Sequence, residues 1–265
     1  MKKNLTLLAT ILAAGIASAG NASAQISAGN LAANSFSTDG AGAFSINNYN
    51  VANANDVLVV GLYVDNGNSA ISSLTYNGIT SDGGFSGNSG NGARLSVYYF
   101  LNPSVGTFNF SGIAAQTNQG NNGYIVWELS GVNKAITPVT SSPLPSFNGS
   151  TTITTTAANS FILDFLGVNG AGYPSVPDGD SVLTKTAEVD MNGGFGGGYI
   201  ASGSATEAVA GLYSLGWSIN SGGTNAGEVA LGFTALTAVP EPHEYAIAIT
   251  ALLGVAIFIR RRAQA

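Results

Sequence analysis

Short runs of Val, Ile, Leu, Phe, Tyr and Thr, four to nine residues long, recur from Asp56 to Leu236 between segments rich in Gly, Asn, Asp and Pro. They include "DVLVVGLYV" (Asp56 to Val64), "RLSVYYFL" (Arg94 to Leu101), "GYIVWEL" (Gly123 to Leu129), "FILDFLGV" (Phe161 to Val168) and "EVALGFTAL" (Glu228 to Leu236). No run keeps the 3.6-residue period of a capped helix. The Asn-Gly and Asp-Gly pairs between runs suit tight hairpins. A chain punctuated this often can form strands and little else. The expected fold is all-β, a single antiparallel β-sandwich over residues 25–238.

An internal repeat sharpens that expectation. "ANDVLVVGLYVDNG" from Ala54 aligns with "ANSFILDFLGVNGA" from Ala158, an offset of 104 residues, and the same offset lays "GYIVWELSG" from Gly123 over "GEVALGFTA" from Gly227. Two matches at one offset predict two halves that contribute equivalent strands, with Val57–Val64 and Phe161–Val168 in equivalent places. The succession "LVVGLYV", "SLTYNG", "YYFLNPSVGTFNFSG", "VWELSGV" also resembles jelly-roll-like modules of secreted bacterial proteins. That likeness implies fold more than activity.

Composition removes several chemistries. The 265 residues include no cysteine, and the only histidine is His243, in the C-terminal tail. Disulfides, thiol catalysis, histidine general bases and Cys- or His-ligated zinc are therefore excluded from residues 25–238. That span holds three basic residues, Arg94, Lys134 and Lys185, against twelve acidic ones, a side-chain charge of −9. Such a surface does not neutralise phosphates, so no nucleic-acid partner is expected. Its polarity comes mostly from Asn, Ser, Thr and Gly, as suits a secreted protein.

The two ends speak of export. Lys2 and Lys3 precede the apolar stretch "LTLLATILAAGIA", and "ASA" at Ala22 to Ala24 follows, the order of a secretory signal peptide cleaved between Ala24 and Gln25. At the other end, the apolar residues Tyr245 to Ile259 make a helix of roughly 22 Å, shorter than the ~30 Å hydrocarbon core. Arg260, Arg261 and Arg262 place its end on the cytoplasmic side. Ahead of it, Pro240 and Pro242 hold Val239, Pro240, Glu241 and Pro242 extended, where a protease can reach the backbone. "VPEP", a short hydrophobic helix and a terminal Arg cluster together resemble the PEP-CTERM sorting signal of bacterial exosortase substrates. The resemblance covers residues 239–265. It implies signal peptidase and the secretion machinery as early partners, then transient anchoring in the inner membrane. An exosortase-type membrane peptidase would remove the tail and leave the body in the envelope, at the cell surface or outside.

Candidate sites in the body are sparse. Glu128 and Glu228 share strand parity under the repeat and are the pair that could serve a glycosidase, which needs two carboxyl groups facing across a cleft. The alternative places both on solvated strand faces. Asp178 and Asp180 in "PDGDS" are candidate calcium ligands, with ordinary turn chemistry as the alternative, as it is for "DNGNS" at Asp65 to Ser69. "GGFGGGY" at Gly193 to Tyr199 lacks the Lys-Ser/Thr of a phosphate loop and is expected to be a loop only. Trp127 and Trp217 are expected in the core rather than on a sugar-stacking platform, and one of Tyr98 and Tyr99 is expected to be exposed. The sequence points to a non-enzymatic matrix protein associated with extracellular polysaccharide. A secreted glycosidase and a carbohydrate-binding module are the alternatives.

Overall fold

The computed structural model describes residues 25–39, 42–64, 71–88, 94–114, 122–141, 150–169, 175–177, 181–191, 198–219 and 225–237, with Gly254, Arg260 and Arg261. Gln25–Leu236 is one compact unit. Among the described residues the body is all β, and every strand pair is antiparallel. The first nine strands are β1 (Ser27–Phe36), β2 (Ala43–Val51), β3 (Val57–Val64), β4 (Ile71–Tyr76), β5 (Ile79–Thr80), β6 (Gly83–Asn88), β7 (Arg94–Phe100), β8 (Gly106–Ala114) and β9 (Asn122–Ser130). The other eight are β10 (Val139–Thr140), β11 (Ser150–Thr155), β12 (Ser160–Asn169), β13 (Ser175–Pro177), β14 (Thr184–Asp190), β15 (Gly198–Glu207), β16 (Gly211–Ile219) and β17 (Asn225–Phe233).

These strands form four sheets, not the two that the sequence suggested. Their orders are β1-β9-β3-β7-β6, β10-β17-β12-β15-β14, β2-β8-β4-β5 and β11-β16-β13. The first and second orders correspond strand for strand under the 104-residue offset, and so do β2-β8-β4 and β11-β16-β13. The repeat read from two short matches thus runs through the whole body. β3 and β12 occupy the same central place in their sheets, as expected for Val57–Val64 and Phe161–Val168.

Side-chain parity explains the layering. On β3 and β9, Leu58, Val60, Leu62 and Val126 join Phe44, Ile46, Leu74 and Phe110 from the β2-β8-β4-β5 sheet in one core. Val57, Val59, Trp127 and Leu129 point the other way and join Phe165, Val229 and Leu231 in a second core. That second core continues through the β12-centred sheet to Ile153, Leu215 and Trp217 of the β11-β16-β13 sheet. Both five-stranded sheets are therefore covered on both faces. This is why β3 reads "VLVVGLYV" without a polar interruption and is buried throughout.

Two glycines set the contact between the five-stranded sheets. A Cβ on Gly61 would overlap the Phe165 ring, and one on Gly167 would come within 2.8 Å of the Tyr63 ring. Gly61 and Phe165 are equivalent under the offset, as are Tyr63 and Gly167. Each ring thus sits against the glycine that replaces it in the other half.

Candidate functional site

The structure separates the two glutamates. Glu128 lies on β9 opposite Leu58 of β3, on the face that meets the β2-β8-β4-β5 sheet. Glu228 lies on β17 opposite Leu166 of β12, on the face that carries Asp164 toward Trp217. They belong to different sheets and point away from one another, so they cannot flank one glycosidic bond. Nor are they on solvated faces: Glu128 is 4% exposed and Glu228 1%. Both readings of these residues are corrected by the extra sheets, which cover faces that two sheets would have left to water.

Glu128 sits in a local hydrogen-bonded setting. Its Oε1 accepts from the Ala52 amide at 3.0 Å, and the buried Asp56 beside it accepts from Asn53 Nδ2 at 3.0 Å. Burial, and then the neighbouring Asp56, raise the Glu128 carboxyl above its ordinary range, while the Ala52 amide opposes the shift. Lys134 caps the same end of the molecule, donating to the Ala54 carbonyl at 3.1 Å.

Glu228 has a partner that the sequence reading passed over. Asp164, 0% exposed, lies diagonally across from it in the β12–β17 register. Trp217 Nε1 of β16 donates to Asp164 Oδ2 at 2.7 Å. Asp164 Oδ1 and both Glu228 oxygens have no well-formed hydrogen bond from another described residue, while the Trp217 N–H and the Phe165 amide both favour an ionised Asp164. Burial, reinforced by the Glu228 charge, pushes the Asp164 carboxyl well above its ordinary range, and burial raises Glu228 as well. A hint was available: Asp164 is the one charged residue inside "FILDFLGV", a run apolar on both parities.

The aromatic residues are structural. Trp127 and Trp217 are both buried, as expected, and Trp127 Nε1 donates to Ser202 Oγ at 3.1 Å across the five-stranded sheets. Tyr98 and Tyr99 are both buried, which corrects the expectation that one is exposed; β7, too, is covered on two faces. Ala24, Asp65 to Ser69, Asp178, Asp180, most of "GGFGGGY", Val239 to Pro242 and Arg262 lie outside the described residues. Among the described residues no helix is long and apolar enough to cross a membrane, and no group of three or more acidic or histidine side chains could hold a metal ion.

The accessible chemistry is on the outer face of the β2-β8-β4-β5 sheet. Phe108 and Phe110 alternate with exposed Thr107, Asn109 and Ser111 along β8. An open depression of about 380 Å³ is lined by Asn77, Gly78, Thr107, Phe108, Asn109 and Ser111. Asn77 and Gly78 take φ of 50° and 75°, the two left-handed residues of a tight hairpin turn between β4 and β5. Asn109 Oδ1 accepts from the Asn48 amide at 3.0 Å, and Asn50 Oδ1 accepts from Thr107 Oγ1 at 3.1 Å. Those bonds fix both amides in place, with their N–H groups still open to a ligand. The face is neutral and carries donors and acceptors together. Among the described residues the large exposed hydrophobics are all aliphatic, such as Leu31, Ile79 and Leu212.

No family model, curated protein or solved structure matches this chain.

Proposed function

We propose that this chain is an exported, non-enzymatic protein of the cell envelope or extracellular matrix. Its body consists of two jelly-roll-like halves, and it associates weakly with neutral extracellular polysaccharide. Signal peptidase cleaves between Ala24 and Gln25, and an exosortase-type peptidase processes the tail at Val239 to Pro242. Delivery rests on the order of Pro-Glu-Pro, apolar helix and Arg260 to Arg262. The non-enzymatic role is supported by one observation above the others: Glu128, Asp164 and Glu228 are all enclosed between sheets, and none lines an open cleft. A glycosidase needs a pair that substrate and water can reach. The surface left for binding is the amide- and hydroxyl-rich face around Asn109, whose uncharged hydrogen-bonding groups match the hydroxyls of a neutral sugar chain.

Purified protein incubated with neutral polysaccharides is expected to release no reducing sugar and to be retarded in affinity electrophoresis. Hydrolysis that disappears in Glu128→Gln or Glu228→Gln would establish the glycosidase instead. Replacing Pro240-Glu241-Pro242 with alanines is expected to leave the tail uncleaved and the protein in the membrane fraction. Unchanged processing there would reduce the tail to a plain anchor.

A further inference from the structure

We infer that Asp164 and Glu228 share a single proton, and that this proton is a pH-operated latch holding the β11-β16-β13 sheet onto the body. Two ionised carboxylates are acceptors only and cannot bond to each other, yet these two adjoin diagonally on one sheet face and are almost wholly buried. One carboxylic acid resolves the conflict. Asp164 Oδ2 is occupied by Trp217 N–H, so Oδ1 carries the proton and donates it to Glu228. The chain is Trp217 N–H to Asp164, then Asp164 O–H to Glu228. Trp217 belongs to the outer sheet, whereas Asp164 and Glu228 belong to the five-stranded one. The Trp217–Asp164 bond thus links two layers, and the shared proton spares the enclosed pair a second buried charge that would push the layers apart.

The other half of the molecule holds its outer sheet differently: Glu128 Oε1 on β9 accepts the Ala52 amide just past β2, and no indole N–H is involved. At the positions equivalent to Asp164 and Glu228 stand Val60 and Tyr124, both apart from any charge pair. There the sheets are tied by tyrosine hydroxyls donating to backbone carbonyls: Tyr49 to Asn30 at 2.9 Å, and Tyr98 to Ile71. Burial raises Tyr49 and Tyr98 above the usual phenol range, so these ties keep their protons in alkali.

Opening the sheet returns Asp164 and Glu228 to ordinary carboxylate behaviour and releases the shared proton. The closed form binds more protons than the open form, so opening becomes easier as pH rises, about tenfold per pH unit for one proton. The window begins above the ordinary carboxylate range and ends at the raised value of the pair. Among the described residues, the other ionisable groups on the surrounding strands are Tyr199 and Glu207 on β15, Tyr213 on β16, and Lys185, Glu188 and Asp190 on β14. Lys185 and Glu188 pair with each other at 2.6 Å. None of β10, β11 and β13 carries one.

The test is a pH titration of the full chain followed by tryptophan emission, circular dichroism and the infrared carbonyl band of protonated carboxyls. The expected result is a red shift of emission at rising pH, before the β signal is lost, together with loss of a carboxylic-acid band present at neutral pH. Asp164→Asn keeps an acceptor for Trp217 and removes the proton, so its emission should stay flat through that window; Glu228→Gln should do the same. If neither variant folds, the infrared band of the unaltered protein decides: its absence at neutral pH overturns the shared proton. The proposal also fails if the red shift persists in a folded variant. Reversal of the shift by added Ca²⁺ or Mg²⁺ would equally sink it, by making the pair a cation site.

Discussion

Among the described glycines, Gly61 has the least room for a side chain. It faces Phe165 across the two five-stranded sheets, and any Cβ must displace the ring. Gly61→Ala is expected to destabilise the body by about 1–3 kcal/mol through overpacking. Phe165→Ala alone should cost about 3–5 kcal/mol by leaving a cavity. The two losses should not add when combined, and a double-mutant cycle of urea denaturation reads that coupling. Glu128 carries a prediction of a different kind. Its carboxyl is raised by burial, so the unfolded chain ionises first, and its contribution to stability is lost as pH climbs from the ordinary carboxylate range through the raised value. Glu128→Gln should flatten the part of the stability–pH curve that Asp164→Asn leaves sloping. Of the residues in these sites, Glu128 and Glu228 were visible as isolated acids, but their environments were not. Parity within a strand says which residues share a face; it does not say what covers that face.

At the scale of elements, the β character was legible because apolar runs and turn residues alternate at short intervals. The four-sheet layering was legible too, in a signal that the expectation of one sandwich overrode. β2 and β8 alternate buried and exposed residues, as strands with one wet face do. β3 and β12 are apolar at both parities and buried along almost their whole length. Unbroken runs of that kind require cover on two sides, which two sheets cannot supply. Turn chemistry was the most local signal and the most secure. Asn77-Gly78 is an Asn-Gly pair between strands, and it forms the tight turn such a pair favours. Gly78→Ala forces a side chain into the left-handed region and should cost about 1–2 kcal/mol. Because Gly78 also lines the depression on the outer face, the variant should weaken retardation by neutral polysaccharide at temperatures where it remains folded. Equal retardation of variant and parent would move the binding surface elsewhere.

For the molecule as a whole, the 104-residue repeat is the organising fact, and two short matches were enough to find it. The remaining strands had diverged too far to align, yet they keep their places in the sheets. Residues 25–136 expressed alone should show β structure but expose Val57, Val59, Trp127 and Leu129 to water. Light scattering should then report polydisperse aggregates and not a defined dimer. The reason lies in the exchanged glycines. Were two first halves to meet as the two halves of one chain do, Gly61 would face Gly61 across an empty space and Tyr63 would collide with Tyr63. A chain at high local concentration folds among many identical siblings, each offering the same tempting surface. The swapped ring and glycine let it tell its own second half from a stranger's first.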